Sequence, residues 1–419
     1  MVYNNKYRLI KDNIQLSSIY EDSTMQNKKH NILFCKSKNR AIRIIKSRII
    51  ILTFYMFRIF PINRRKIVVD CYRGMGYYGN PKYIIDFLIR TNTDCEIVWI
   101  SDDDYFPLSM VKTVPHHTFK SVYHLCTAHI WIDNCRKDYW VRKRKKQFYI
   151  QTWHGGIGPK RVEKDAIGKV SEEYIKGAIN DSEMIDLFIS NSDFETNHIR
   201  ESFWYSGEIL EKGLPRNDML LSKDSLKKTN YIRKSLGISQ DTKTILYAPT
   251  FRQDFNVSRH QKDFSQLIKY LEKTNDFKWV VLLHLHPNLF QKADYLDYSE
   301  RFINVNSFDI QELLLMSDIL ITDYSSIMFD FALTEKPVFL YIDDLNEYKS
   351  ERNFKIDLFS LPFDYASTMD ELITAFEQFD YQKYIGNLNM AFQSFGIKET
   401  GNSCEEIVKI IIDKITRRE

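Results

Sequence analysis

Little in this 419-residue chain sets it apart from ordinary folded proteins, and what is scarce excludes several classes. With 14 glycines and 10 prolines it has neither the glycine period of a collagen nor the Pro/Gly excess of a low-complexity chain. Its six cysteines, Cys35, Cys71, Cys95, Cys126, Cys135 and Cys404, form no C-x-x-C pair. That spacing argues against a zinc ribbon or a disulfide framework and leaves reduced, mostly buried thiols. No metal centre and no cofactor are expected. Charge of one sign is not in excess: a net +4 is too small to demand a nucleic-acid partner. The apolar run "IIILTFYMF" at residues 49–57 is about half of the ~20 residues a membrane-crossing helix needs, and Arg48 and Arg58 bracket it.

What is present is local. Between Lys36 and Lys66 there are ten basic residues and no acidic one. A basic, aromatic helix suits an anionic membrane surface, where each nearby cation contributes about 1 kcal/mol. The alternative is a helix docked on the first domain. The polar first 30 residues do not read as a secretory signal, so a cytoplasmic protein is expected.

From residue 67 on, short apolar runs alternate with amphipathic stretches, the pattern of βα units around a parallel sheet. "IVVD", "EIVWI", "HIWID", "FYIQTW" and "LFISN" form one series; "TILYAPT", "WVVLLHLHP", "FINV", "DILITDY" and "PVFLY" form another. Asn80 is expected to cap the helix "NPKYIIDFLIR", with Pro81 in its first turn. The pattern predicts two Rossmann-like domains facing a cleft. An N-terminal segment (1–66) precedes an acceptor-side domain (67–225) and a donor domain (226–419), whose final helix is free to cross back. No P-loop, dinucleotide fingerprint or catalytic-serine elbow is read from the chain, which counts against NTPases, dehydrogenases and hydrolases.

Ligands of such sheets bind at the carboxyl ends of strands. Four ends hold reactive side chains. "WHGGIGPKR" offers His154 as a proton acceptor, Gly155 and Gly156 for close backbone approach, and the cations Lys160 and Arg161. "PTFRQD" offers Arg252, whose planar fork suits a phosphate. "HLHPNL" offers His286 to the cleft, with His284 packed behind it. "TDYSSIMFDFALTE" sets Asp323, Ser325 and Ser326 before a helix whose N-terminus one serine would cap.

These blocks, with "NPKYI" and the Arg216-bearing "LEKGLPRNDML", resemble the CDP-glycerol glycerophosphotransferase family of teichoic-acid primases and polymerases. The resemblance implies a GT-B-like α/β fold. It also implies transfer of a polyol phosphate, glycerol phosphate first, from a CDP-activated donor to a hydroxyl of a lipid-linked or polymer acceptor, with release of CMP. It implies attachment to the inner face of the cell membrane. His154 and His286 match the family's essential histidines. Arg252, Ser325 and Ser326 match residues expected near the donor pyrophosphate, and Asp323 starts that block; Gly155, Lys160, Arg161 and Arg216 complete the candidate substrate-binding residues. The chain departs from the family in having Gly156 where threonine is usual. Two alternatives share the pattern: a glycosyltransferase of the same shape using a nucleotide sugar, and a non-catalytic membrane-bound scaffold.

Overall fold

The computed structural model describes residues 45–103, 106–223, 225–252, 254–351 and 353–417. Lys36, Lys38, Arg40 and Arg43 of the basic segment lie outside them. The chain divides into Met1–Thr53, of which residues 45–53 are helical, and Phe54–Glu419.

The second unit contains two all-parallel sheets. In the first, strands β1 (Asn63–Asp70), β2 (Glu96–Ile100), β3 (Lys112–Val114), β4 (Ala128–Asp133), β5 (Phe148–Gln151), β6 (Leu187–Ser190) and β7 (Glu208–Glu211) lie in the order β3-β2-β1-β4-β5-β6-β7. In the second, β8 (Thr242–Ala248), β9 (Lys278–Leu283), β10 (Phe302–Asn304), β11 (Ile319–Thr322), β12 (Val338–Tyr341) and β13 (Asp364–Ala366) lie in the order β10-β9-β8-β11-β12-β13. Both are doubly wound. The first strand of each sheet pairs with the fourth, as β1 with β4 and β8 with β11, so strand order reverses there and a crevice opens above the carboxyl ends.

The sequence explains this arrangement. Parallel strands covered by helices on both faces must be apolar throughout, and Ile67, Val68 and Val69 of β1 and Ile245 and Leu246 of β8 are fully buried. The short edge strands β3, β7 and β13 are partly polar, "KTV", "EILE" and "DYA", and carry too little apolar pattern to be read as strands. The closing helix Ser403–Thr416 lays Ile407, Val408, Ile411 and Ile415 against Ile67, Val69, Ile84 and Leu88 of the first sheet's layer.

Asn80 does not cap its helix. The helix Gly79–Arg90 begins one residue earlier, and Tyr78 at the cap position makes no side-chain bond. Asn80 is instead buried inside the first turn, its amide donating to the carbonyls of Thr152 and Trp153 at 3.1 and 3.3 Å. Its side chain thereby fixes the loop that carries His154.

Candidate active site

Beyond β5, Thr152 remains tied to the sheet by its N–H to the Asp133 carbonyl at 2.8 Å. Trp153 then adopts a left-handed conformation with φ +51°, which costs a bulky residue about 1–3 kcal/mol and must be held from outside. It is held by its N–H on Gln151 at 2.9 Å, by Asn80 on its carbonyl, and by its ring against Phe203 at 4.8 Å. His154 follows on this braced turn. Its Nδ1 lies 2.9 Å from the Asn134 carbonyl, which can only accept, so Nδ1 carries the proton and Nε2 keeps its lone pair. Solvent reaches the residue, and the rings of Trp153 and Tyr72 lie 4.3 and 5.8 Å from its own. Desolvation, helped by Arg216 and Lys160, lowers its pKa below the ordinary histidine value, against the opposing pull of the Asn134 bond.

Arg216 locks this loop to the second sheet. Its Nη1 donates to the His154 carbonyl at 2.8 Å and its Nη2 to Asp330 at 2.9 Å, while its backbone N–H binds the Asn80 side chain at 3.2 Å. Asn217 continues the link, donating to Asp330 at 3.0 Å and to Glu399 at 2.7 Å. Glu399 also accepts from Asn191 at 3.0 Å and from the Leu214 N–H at 3.1 Å, and burial pushes its pKa up to about 7. Gly156 lies against this network: a Cβ there would come within 2.7 Å of Asn191 Nδ2 and 3.0 Å of Leu214. The missing side chain is therefore matched by Asn191 in the space it would fill.

The facing wall comes from the second sheet. Ser326 lies 3.7 Å from where a Cβ of Gly155 would stand, and its Cβ 3.2 Å from that of Gly158, so the histidine loop and the serine turn are in contact. Beneath the serines, Asp323 accepts from the Thr250 N–H at 2.9 Å, from the Thr250 hydroxyl, and from Arg252 Nη2 at 2.9 Å. Arg252 also binds Asp344 through Nε at 2.6 Å and the Thr250 carbonyl through Nη1 at 2.6 Å. Its guanidinium sits over the stacked rings of Tyr324 and Tyr348, 5.1 and 4.7 Å from their centroids. Lys160 approaches the same Tyr348 ring at 5.7 Å. His286 is exposed beside Phe251, 5.5 Å between rings, with its Nδ1 accepting from the Asn288 N–H at 3.3 Å.

Residues 52–413 match the CDP-Glycerol:Poly(glycerophosphate) glycerophosphotransferase family. The chain belongs to this family. Among relatives, the teichoic acid poly(glycerol phosphate) polymerase of Bacillus spizizenii is 28% identical over 384 residues, covering 88% of this chain and 98% of that one. The teichoic acid glycerol-phosphate transferase of Staphylococcus aureus is 30% identical over 390 residues, covering 89% and 99%. Among solved structures, the wall teichoic acid polymerase TagF superposes with a TM-score of 0.78 at 27% identity, covering 92% of this chain and 98% of that one. A histidine-substituted TagF soaked with CDPG matches equally well.

Within this glycerophosphotransferase fold, contacts join His154 to Arg216, Gly155 to Ser326, Arg252 to Asp323, and Lys160 through the Tyr348 ring to Arg252, while Ser325 precedes Ser326 and His286 stands beside Phe251. Arg161 sits on the rim, its Nε donating to the Phe354 carbonyl at 3.2 Å. His284 is packed, edge-on to Phe290, and burial pulls its pKa down to about 4. The serines depart from expectation. Ser326 holds the cap position of the six-residue helix Ile327–Ala332 without a side-chain cap bond, and Ser325 Oγ accepts only a long 3.5 Å contact from the Ile327 N–H. Arg252 also differs from a free phosphate clamp, being committed to two carboxylates.

The reading that finds no dinucleotide fingerprint is corrected by the chain itself: Gly74-Met75-Gly76-Tyr77-Tyr78-Gly79 has the spacing G-x-G-x-x-G between β1 and its helix. It is not an open phosphate cradle. The Gly74 N–H is taken by Asp70 at 2.9 Å and the Met75 N–H by the Cys71 carbonyl at 3.0 Å. Asp70 and Asp133, which end β1 and β4 at the first sheet's switch point, are not among the four strand ends singled out in the sequence. Lys137 bridges them, 3.5 Å from the first and 2.5 Å from the second. The signal was present, since both acids directly follow apolar runs.

Proposed function

We propose that the protein transfers glycerol phosphate from CDP-glycerol to a hydroxyl of a lipid-linked or polymer acceptor, releasing CMP, in teichoic-acid or capsule synthesis. The observation that carries this reading is the tautomer of His154 in a member of this family. A histidine with Nδ1 fixed on a carbonyl and a depressed pKa is a neutral base at pH 7. Nε2 takes the proton of the acceptor hydroxyl as that oxygen attacks the β-phosphorus. The bond from that phosphorus to the bridging oxygen breaks, and CMP leaves with the electron pair. Phosphoryl transfer depends chiefly on positioning and on charge stabilisation, for which the serine hydroxyls, His286 and Lys160 are the groups at hand. Arg252 acts at one remove, holding Asp323 and the Tyr324 ring beneath the serines. The donor half takes the CDP-polyol, the half with β1 and β4 the acceptor, and the domain division lies near residue 225.

Peripheral attachment to the inner face of the membrane is supported by a second surface. Met56, Ile59 and Phe60 are exposed, and Arg144 donates to the Phe60 carbonyl at 2.7 Å from the stretch "RKRKK" at 142–146, where Lys145 and Lys146 are exposed. Among the described residues no helix is long and apolar enough to cross a membrane. Incubating the purified protein with CDP-glycerol, CDP-ribitol and a lipid-linked acceptor, then weighing the products, tests the activity. A product heavier by one or more glycerol phosphates is expected, and a sugar transferred from a nucleotide sugar contradicts it.

A further inference from the structure

At the carboxyl edge of the first sheet, His116 and His117 follow β3 and Asp138 follows β4. One nitrogen of each histidine and one oxygen of Asp138 lie within 4.8 Å of one another. Neighbouring side chains in an extended strand point apart, but His117 has a left-handed φ of +52° and its ring stacks on that of His116, centroids 3.9 Å apart. The pair is pinned from both sides. The His116 N–H donates to Asp102 at 2.7 Å, and Thr118 caps the helix Phe119–Thr127 directly after His117. His117 Nε2 is already 2.6 Å from Asp138 Oδ2. The second Asp138 oxygen is held by Arg73 at 3.3 Å, and Asp70 stands 3.7 Å from His116 Nε2, the kind of carboxylate that orients a ligating histidine.

The cations around the site are offset. Asp138 takes Arg73, Asp70 and Asp133 take Lys137, with burial raising the Asp133 pKa to about 7, and Arg136 is neutralised separately by Glu163 and Asp181. His116, His117, Asp138, Asp70, Arg73 and Lys137 border a cavity of about 20 Å³, room for one small ion or water. Tetrahedral bonds of about 2.0–2.1 Å place donors roughly 3.3 Å apart, so small ring rotations suffice.

We propose that His116, His117 and Asp138 bind a divalent transition-metal ion, Zn²⁺ or a close relative, leaving one coordination position for water or a substrate oxygen. Two imidazoles and a carboxylate suit that class over Mg²⁺ or Ca²⁺, which take oxygen ligands. The ion would join the end of β3 to the loop after β4. The site stands on geometry alone and is independent of the transferase reading.

The test uses the full chain without a tag, stripped by a chelator and titrated with Zn²⁺ against a chromophoric chelator. One tight equivalent is expected, weakened about tenfold or more in His117→Gln and in Asp138→Asn. Co²⁺ in place of Zn²⁺ is expected to give visible d–d bands without thiolate charge transfer. At one Zn²⁺ concentration the melting temperature of the parent should rise more than that of either variant. His117 is exposed, so its variant is expected to melt with the parent when metal is absent, separating ligand loss from misfolding. Equal affinity in parent and variants, or a thiolate band assigning the ion to cysteine, overturns the proposal.

Discussion

Replacing Arg216 with methionine removes a side chain that joins the His154 carbonyl to Asp330. Both partners are buried: Asp330 is 4% exposed and Arg216 6%. Removing one member of a buried ion pair costs about 3–5 kcal/mol, because the remaining charge stays in a poorly solvating site. Asn217 and Gln311, at 3.0 and 3.4 Å, are the donors left to Asp330. The unfolding entropy of the unit Phe54–Glu419, at about 2.1 cal/mol/K per residue, is roughly 0.8 kcal/mol/K, so the melting temperature should fall by about 4–6 °C. Scanning calorimetry measures this directly. Asp330→Asn in the same chain should restore part of the loss, giving a coupling on the order of 2 kcal/mol in the double-mutant cycle. Turnover should drop about a hundredfold even where the protein is fully folded, since the histidine loop loses its anchor. A shift below 1 °C, or additive single effects, refutes the assignment of Arg216 as the clamp on that loop.

Because His154 has a lowered pKa, it deprotonates below the usual histidine range, and the acid limb of kcat/KM should fall below pH 6.5. A limb above 6.5, or a His154→Gln variant with the same limb, would remove His154 from the base role. Gly156→Ala must push Asn191 away from Glu399 and should cost about 1–3 kcal/mol; an unchanged melting temperature contradicts the packing argument. Arg252→Ala leaves Asp323 buried and Asp344 half-buried without their cation and should cost about 3–5 kcal/mol at pH 7. Burial raises the Asp344 pKa, but Arg252 outweighs it and holds the carboxyl below its ordinary value. The pair therefore stabilises above the unfolded pKa and is lost as pH falls through the folded one, so the Arg252→Ala deficit should shrink in acid. A deficit that does not change with pH excludes this pair as its source.

The parallel sheets were legible because central strands buried on both faces write continuous apolar runs such as "KIVVD" and "TILYA". The rule that ligands gather after such runs singled out His154, Arg252 and Asp323 as candidates without any contact information. It could not find Asn80, Asn134, Asp330 or Glu399, whose importance comes from hydrogen bonds across 20 to 208 residues of chain, as between Asn134 and His154 or Asn191 and Glu399. Nor could it tell that Arg252 spends its donors on Asp323 and Asp344, since a strand-end arginine looks the same free or paired. The serine turn reads as a helix cap because Ser and Thr favour that position, but in the fold the hydroxyls are not used that way. The His116–His117 pair is visible in the sequence, yet only the left-handed backbone at His117 brings the two rings together.

The most direct test of the central claim is the nucleotide released when the protein, CDP-glycerol and a lipid-linked acceptor are mixed, followed by chromatography for the parent and for His154→Ala. CMP should appear with the parent in step with glycerol phosphate on the acceptor. His154→Ala should still bind CDP-glycerol but release CMP at least a hundredfold more slowly. CMP release at the parental rate from His154→Ala, or release of UDP from a UDP-sugar in place of CMP, would contradict the account.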